Sequence, residues 1–591
     1  MKNIRLTNAA LLAAGICCSA AAAPVAVNWD ENVWEPWTPV LATAPAEGFH
    51  GRSVPLARIT ADNAVGDESD KTLKAVAWRN ERVNGQFVVW SASGEKQLRL
   101  EPGDLVSASG GRIPASAVRG RFVRYVRASL VKGEKAIVPE QFVGDCLDTP
   151  DTTDTGWLDM PANGFRPVWA TIDVPRDAAP GVYRGELAVR ALGGKRLAFP
   201  IELTVRAETL ADPADWSFFL DLWQHPLAVA RYHHVKPFSA EHYSRLAPLL
   251  KELAAAGQKT VTATITDLPW DHQNFDAYRT MIEHVKGTDG SWTHDYAVFD
   301  SWVAFALSCG LGPQIHCYTM ASWGNIVYYV DGASGDRVAV ELKAGTSAHE
   351  AFWGPFLEDF ERHLALKGWL GRTYIALDER SREELMASAN CIKRHAPRIK
   401  IAMAGNKAPS TFTGIDVDNY SSAMGKLTPE FIAEAADRRA KGYTTTYYIC
   451  CGPLRPNTFA TSPLEEARWL GLFASAKGLD GMLRWAAFNW PRDPLLDTTF
   501  PGHRGRGSWR PGDTSLLYPD GRTSTRWEAF RDSIENFEKI RQLRAAGKAS
   551  AELDAALATL AFDGGAATRP AASWAADADR VEAAIDACSA R

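Results

Sequence analysis

After Ala211-Asp212-Pro213 the chain adopts a pattern that leaves few folds open to it. Eight apolar, strand-length segments follow, at residues 216–222, 260–266, 314–320, 373–377, 400–404, 414–417, 444–450 and 481–486. Helical periodicities lie among them, at residues 245–256, 353–366, 381–395, 429–440 and 463–477. A strand that is apolar on both faces and leads into an amphipathic helix belongs in a parallel sheet covered by helices. Eight such units within residues 211–545 predict a (β/α)8 barrel, a TIM barrel. Residues 326–332 and 337–342 read as a hairpin inserted after the third strand and overhanging the barrel mouth.

The flanking segments follow different rules. Residues 24–210 alternate in short strands broken by Gly, Pro and Asp, as in Gln86-Phe87-Val88-Val89-Trp90, and predict an all-β sandwich. Residues 546–591 are Ala-rich and predict a short C-terminal helical extension on the barrel exterior. Residues 1–23 combine Lys2 and Arg5, an apolar run and small residues up to Ala23, the order of a secretory signal peptide. The competing reading, a lipoprotein anchor at Cys17, is disfavoured by the bulky Ile16 before it. Export to the periplasm or the cell exterior is therefore expected, with no membrane span in the mature chain. Removing the signal leaves Cys146, Cys309, Cys317, Cys391, Cys450, Cys451 and Cys588, an odd number, so at least one thiol stays unpaired within a monomer. Cys450-Cys451 is a candidate vicinal disulfide beside the site.

Charge narrows the partners. The 65 basic and 70 acidic residues nearly balance, giving a formal charge of -5, which argues against nucleic acid or a membrane surface as partner. The 21 Trp residues suit a glycan or glycoconjugate, because indole rings offer flat faces to sugar C–H groups. Zinc helix, nucleophile elbow, phosphate loop and dinucleotide fingerprint are all missing from the sequence, so no cofactor or metal is expected. Arg492, Arg504, Arg506 and Arg510 form a basic, Gly-rich loop after the eighth strand, solvated or facing an acidic glycan. Oligomeric state is left open by the sequence.

The chemistry concentrates at Asp378-Glu379, two carboxylates at the end of the fourth strand. Catalytic groups of α/β barrels gather at the carboxyl ends of the strands. Two carboxylates that flank a glycosidic bond need separations of about 5 to 9.5 Å, which sequence neighbours meet poorly. Adjacency instead suits a reaction in which the substrate supplies its own nucleophile, as a 2-acetamido group does by forming an oxazoline. Glu379 is then the acid/base and Asp378 the partner of the acetamido N–H. Because neighbouring strand residues point to opposite faces, convergence requires the strand to end or bulge at Asp378. A competing reading pairs Glu379 with Arg380 or makes it a cap of the following helix near Ser381. Further candidates at strand ends are Trp223, His225, His316, Trp323, Asn419, Tyr420, Tyr448, Trp485 and Asn489. Trp485 suits stacking beneath the sugar, Tyr448 a hydrogen bond to the acetamido oxygen, and Asn489 or His225 hydroxyl recognition. Two rival functions remain: a hydrolase that pairs Glu379 with Asp418 or Asp267, and a non-catalytic glycan-binding protein.

Four separated segments resemble glycoside hydrolase family 123: Phe219 to Pro226, Tyr374 to Glu379, Gly481 to Ala486 and Gly512 to Pro519. The stretch from Val168 to Gly185 is similar to that family's N-terminal β-sandwich. The resemblance implies an exo-acting, retaining β-N-acetylgalactosaminidase that works by substrate-assisted catalysis, with the tandem Asp-Glu carried by Asp378 and Glu379.

Overall fold

The computed structural model describes residues 27–28, 38–132, 135–148, 157–501, 508–564 and 569–590. The expected signal segment 1–23, with Cys17, and the loop residues Arg504 and Arg506 lie outside the described residues.

The N-terminal region is β-rich. One five-stranded sheet runs in the spatial order Lys135–Asp148, Val118–Lys132, Gly164–Asp173, Arg82–Ser91, Phe49–Val54. A second sheet is built around Glu95–Pro102, Gly181–Arg190, Arg196–Thr209 and Leu73–Arg79. Phe87, Val89, Phe122 and Val168 of the first sheet share one buried core with Leu98, Leu187, Val189 and Leu203 of the second. Period-two alternation places these residues on the facing sides of the two sheets.

The following domain holds eight parallel strands: Phe219–Leu222, Thr260–Thr264, Gln314–Tyr318, Thr373–Leu377, Lys400–Gly405, Asn419–Ala423, Thr444–Tyr448 and Gly481–Arg484. Each pairs with its sequence neighbour and the eighth pairs with the first, so the sheet closes except between the first and second strands. Side-chain amides patch that seam. Gln258 Oε1 accepts the Leu222 N–H at 3.1 Å, and its Nε2 donates to the carbonyls of Leu222 and Thr260 at 3.1 and 3.0 Å. Gln224 Oε1 accepts the Thr262 N–H at 2.8 Å. Backbone groups that a continuous ladder would pair are thus satisfied by two buried glutamines.

Alternate strand residues divide between two cores. Ile315, Cys317, Ile375, Leu377, Ile401 and Met403 join the large outer core with the helices, while Tyr318, Tyr374, Ala376, Ala402, Ala404 and Tyr448 fill the lumen. Helices follow most strands, among them Ser347–Leu366, Arg382–His395, Pro429–Ala440 and Leu464–Lys477. Between the fifth and sixth strands, however, stands only the 3-10 turn Pro409–Thr411. The expected sixth strand at 414–417 is corrected by the same observation. Gly414 turns with φ +77°, and the strand forms from Asn419 to Ala423 instead. Its polar residues are buried because the lower lumen is itself polar: Asn419 Nδ2 donates to Gln314 Oε1 at 3.0 Å, and Gln314 also meets His316 at 2.9 Å. An apolar-pattern criterion misses such a strand.

The insertion after the third strand pairs Ile326–Asp331 with Arg337–Glu341. It joins Glu283–Lys286 and Trp292–Asp295, from the preceding connection, in a four-stranded sheet that the sequence reading did not anticipate. Helices Ala551–Ala558 and Ala571–Ser589 pack on the long helix Thr525–Ala545 and its neighbour Leu464–Lys477. None of the described helices is long and apolar enough to cross a membrane.

Candidate active site

Strand four is buried throughout and stops at Leu377. Beyond it the Arg380 N–H returns to the Asp378 carbonyl at 2.7 Å, and the Glu379 N–H bonds Asp378 Oδ1 at 2.8 Å. This turn cancels the strand alternation, so both carboxylates line one cavity of about 310 Å³. Asp378 Oδ2 accepts the Trp323 indole N–H at 2.8 Å, and Tyr448 donates its hydroxyl to Glu379 Oε1. Next to them, Ser381 caps the helix Arg382–His395 in a capping box with Glu384. Arg380 also pairs with Glu384, at 2.6 Å. Glu384 therefore takes both structural jobs that the competing reading gave Glu379.

Electrostatics separates the pair from ordinary surface acids. Burial first, and then the charge of Asp378, pushes the Glu379 carboxyl up to about 7. Burial also raises Asp378, opposed by the Trp323 hydrogen bond and the Glu379 N–H. At neutral pH one member of the pair is thus ready to hold a proton.

Five indoles surround the carboxylates: Trp223, Trp270, Trp323, Trp485 and Trp509. Trp485 donates Nε1 to Asp513 Oδ1 at 3.2 Å, and Asp513 is held in a fully buried ion pair with Arg484 at 3.0 Å. Trp509 meets Trp485 edge-on with centroids 5.5 Å apart and donates to the Gln273 carbonyl at 3.0 Å. The buried Nε1 atoms of Trp223 and Trp270 have no hydrogen-bond partner among the described residues. A second cavity, of about 370 Å³, lies where the N-terminal region meets the C-terminal helices. It is lined mainly by paired charges such as Lys539 and Glu81, with Trp78 as its one ring, and shares no residue with the cavity at the strand ends.

Six sequence candidates therefore meet in the cavity: Trp223, Trp323, Asp378, Glu379, Tyr448 and Trp485. Five others do not line it. His225 is buried behind the wall against Trp270 and Tyr278, and burial drives its imidazole down to about 3, so it stays neutral. Asn489 spends its amide on Asn274 at 2.9 Å, tying two loops together. His316 lies in the polar lower lumen, 3.5 Å from Asp221. Asn419 opens the sixth strand and so sits at the barrel's opposite end. Tyr420 points outward to Phe412 and Phe431. The last two were misplaced by the shifted sixth strand.

Neither rival carboxylate lines the cavity. Asp418 precedes the sixth strand, at the opposite end, and accepts the Ile401 N–H at 3.0 Å. Asp267 is engaged by Arg337. Arg492 gives its carbonyl to Arg231 at 3.1 Å, and the Arg510 guanidinium lies over Phe459 at 5.7 Å, leaving neither on the cavity wall. Trp270, Gln273 and Trp509 went unread because they sit in irregular loops, where periodicity says nothing. The one available signal was the position of Trp270 and Gln273 shortly after the second strand, and Trp509, 25 residues beyond the eighth, had none. Among the described residues no group of three or more His, Cys, Asp or Glu could hold a metal ion.

A nearly closed parallel barrel with a protonatable carboxylate, a second carboxylate beside it and a ring-lined cavity at the strand ends defines a glycoside hydrolase. The family model for the catalytic domain of glycoside hydrolase 123 matches residues 223–543, and that for the family's N-terminal domain matches residues 60–191. The chain belongs to glycoside hydrolase family 123. A family 123 glycoside hydrolase from Clostridium perfringens, described for glycolipid glycan hydrolysis, has the same fold at a TM-score of 0.83 and 23% identity, covering 92% of this chain and 98% of that one. A GH5 xyloglucanase from Bacteroides ovatus aligns at a TM-score of only 0.25 and 10% identity, over 80% of this chain and 99% of that one. No curated protein matches the chain.

Proposed function

We propose that the protein is an exo-acting, retaining β-N-acetylgalactosaminidase, or a hydrolase of a closely related 2-acetamido sugar, working through an oxazolinium intermediate. The observation that carries this reading is the side-by-side placement of Asp378 and Glu379 as the carboxylates lining the ring-walled cavity. That no carboxylate faces them across that cavity among the described residues supports a nucleophile supplied by the substrate. Glu379, its carboxyl raised to about 7 and so partly protonated at neutral pH, gives its proton to the glycosidic oxygen while the acetamido oxygen attacks C1. Asp378 accepts the acetamido N–H and balances the positive charge that develops on the ring formed. Glu379, now a carboxylate, then deprotonates the water that opens this ring at C1, and two inversions give net retention.

A cavity of about 310 Å³ falls at the small end of ligand sites and suits one terminal sugar ring. Trp485, fixed through Asp513, supplies a stacking face. The β-strand order and the helices between strands support reading the domain as a (β/α)8 barrel whose fifth helix has shrunk to a 3-10 turn. Terminal sugars of glycoconjugates, as in the glycolipid glycans of the clostridial relative, are the substrate class proposed. Export, on the basis of residues 1–23, would bring the enzyme to such substrates.

Three measurements test the proposal together. Aryl 2-acetamido-β-galactoside should be cleaved and the plain aryl β-galactoside left intact. A thiazoline analogue of the intermediate should inhibit competitively and tightly. Equal turnover of the two glycosides, or no inhibition by the thiazoline, would rule out acetamido participation.

A further inference from the structure

The wall of the catalytic cavity contains a pair of thiols that the hydrolytic chemistry does not use. Just beyond the seventh strand, Cys450 and Cys451 both line the cavity, and their Sγ atoms lie 3.7 Å apart in a thiol hydrogen bond. Their surroundings differ. Cys451 is exposed, whereas Cys450 is half-buried against the aromatic lumen. Cys450 N–H bonds the Gly452 carbonyl at 3.1 Å, and Asn457 Nδ2 holds the Cys450 carbonyl at 2.9 Å, so this turn is fixed from both sides.

From this arrangement we infer that Cys450-Cys451 is a reversible thiol–disulfide modification site open to low-molecular-weight disulfides entering the cavity. Cys451 is the attacking thiol. It is the accessible member, and the hydrogen bond from Cys450 lowers its pKa while that of Cys450 is raised. Its thiolate attacks one sulfur of the external disulfide RSSR, forming a mixed disulfide and releasing RS⁻, which takes up the proton lost by Cys451. Cys450 then loses its proton and attacks Cys451 Sγ, expelling the second RS⁻, which becomes RSH. The net change is two protein thiols plus RSSR giving one protein disulfide plus two RSH, with the two electrons passing to the external disulfide.

Reversibility follows from adjacency. Cα atoms of neighbouring residues lie about 3.8 Å apart across a trans peptide, below the usual disulfide span of about 4.4 to 6.8 Å. A ring strained in this way is more readily reduced than a structural disulfide. Cys146, Cys317, Cys391 and Cys588 are buried and should not compete.

The test uses the intact protein and oxidised glutathione, so its outcome does not depend on which sugar is cleaved. Peptide mass analysis after brief treatment and alkylation should show the peptide carrying Cys450 and Cys451 two hydrogens lighter and unalkylated, with both thiols returning after dithiothreitol. In Cys450→Ser the reaction should stall with one glutathionyl group on Cys451. In Cys451→Ser, labelling of Cys450 should slow by about tenfold or more. The inference is overturned if both wild-type thiols stay alkylatable, or if the wild-type protein accumulates the glutathionyl adduct without closing the ring.

Discussion

Glu379 owes its proton to burial and to the neighbouring carboxylate, so the pH dependence of the enzyme can be stated with its sign. As general acid it works protonated, and with its carboxyl near 7, kcat/KM should fall about tenfold per pH unit above that value. Glu379→Gln should cost about 10² to 10⁴ in kcat on a substrate whose leaving group needs protonation, and much less on one with an activated aryl leaving group. The same shift affects stability. A carboxyl raised in the folded state favours folding below its unfolded value, and that contribution is lost as pH rises towards about 7. Glu379→Gln should therefore raise the melting midpoint at pH 8 relative to wild type, with little change at pH 4, as calorimetry at the two values would show. Trp323→Phe has a different signature. It removes the donor that favours ionised Asp378, so the acid limb of the pH–rate profile should move upward while the alkaline limb stays in place. Much of this was legible beforehand, because Asp378-Glu379 closes an unmistakable buried strand. Their convergence was not, since it depends on one turn at Asp378 that no periodicity encodes.

At the scale of elements, legibility followed the chemistry of the barrel wall. Strands four and seven read correctly from their starting residues because their outward faces meet apolar helices. Strand six did not, because Asn419 and its neighbours are buried in a lumen that pairs its own polar groups. Apolar Ile415 and Val417 nearby drew the reading to the wrong segment. The misplaced strand took Asn419 and Tyr420 with it, so a register error became a site error. The seam between the first two strands was equally invisible, because it rests on Gln258 and Gln224 side chains in place of backbone pairing. Gln258→Leu keeps volume but leaves the Leu222 N–H and two carbonyls without those partners, at a cost of about 1–3 kcal/mol per group left unsatisfied. The expected outcome is a clearly lower urea midpoint with the slope unchanged, and faster amide exchange at Leu222 than in wild type. A midpoint equal to that of wild type would mean that the seam closes without the amide.

For the whole molecule, the N-terminal region and the barrel domain are joined by buried ion pairs, and they should unfold together. Asp145 is fully buried and receives Arg526 at 2.7 Å, Arg58 at 3.0 Å and the Tyr518 hydroxyl at 2.6 Å. Arg121 meets Glu528 at 2.8 Å across the same boundary, and Trp78, Trp169 and Leu147 join the apolar core of the barrel helices. These arginines hold Asp145 and Glu528 far below the usual carboxylate range. A carboxyl lowered in the folded state contributes stability above its unfolded value and loses it as pH falls below about 4. The boundary should therefore fail in acid. At the other end, burial lifts Glu535 and Glu466 to about 7, so their contribution is lost as pH rises from the ordinary glutamate range to neutrality. Stability should peak between these limits, near pH 5. Asp145→Ala tests the interface directly, because it strands two buried guanidinium groups at a cost of about 3–5 kcal/mol. Chemical unfolding should show a single transition at a much lower midpoint, with loss of hydrolysis coinciding with loss of tryptophan fluorescence. Two separated transitions, with the barrel domain melting at its wild-type midpoint, would show that the domains are independent.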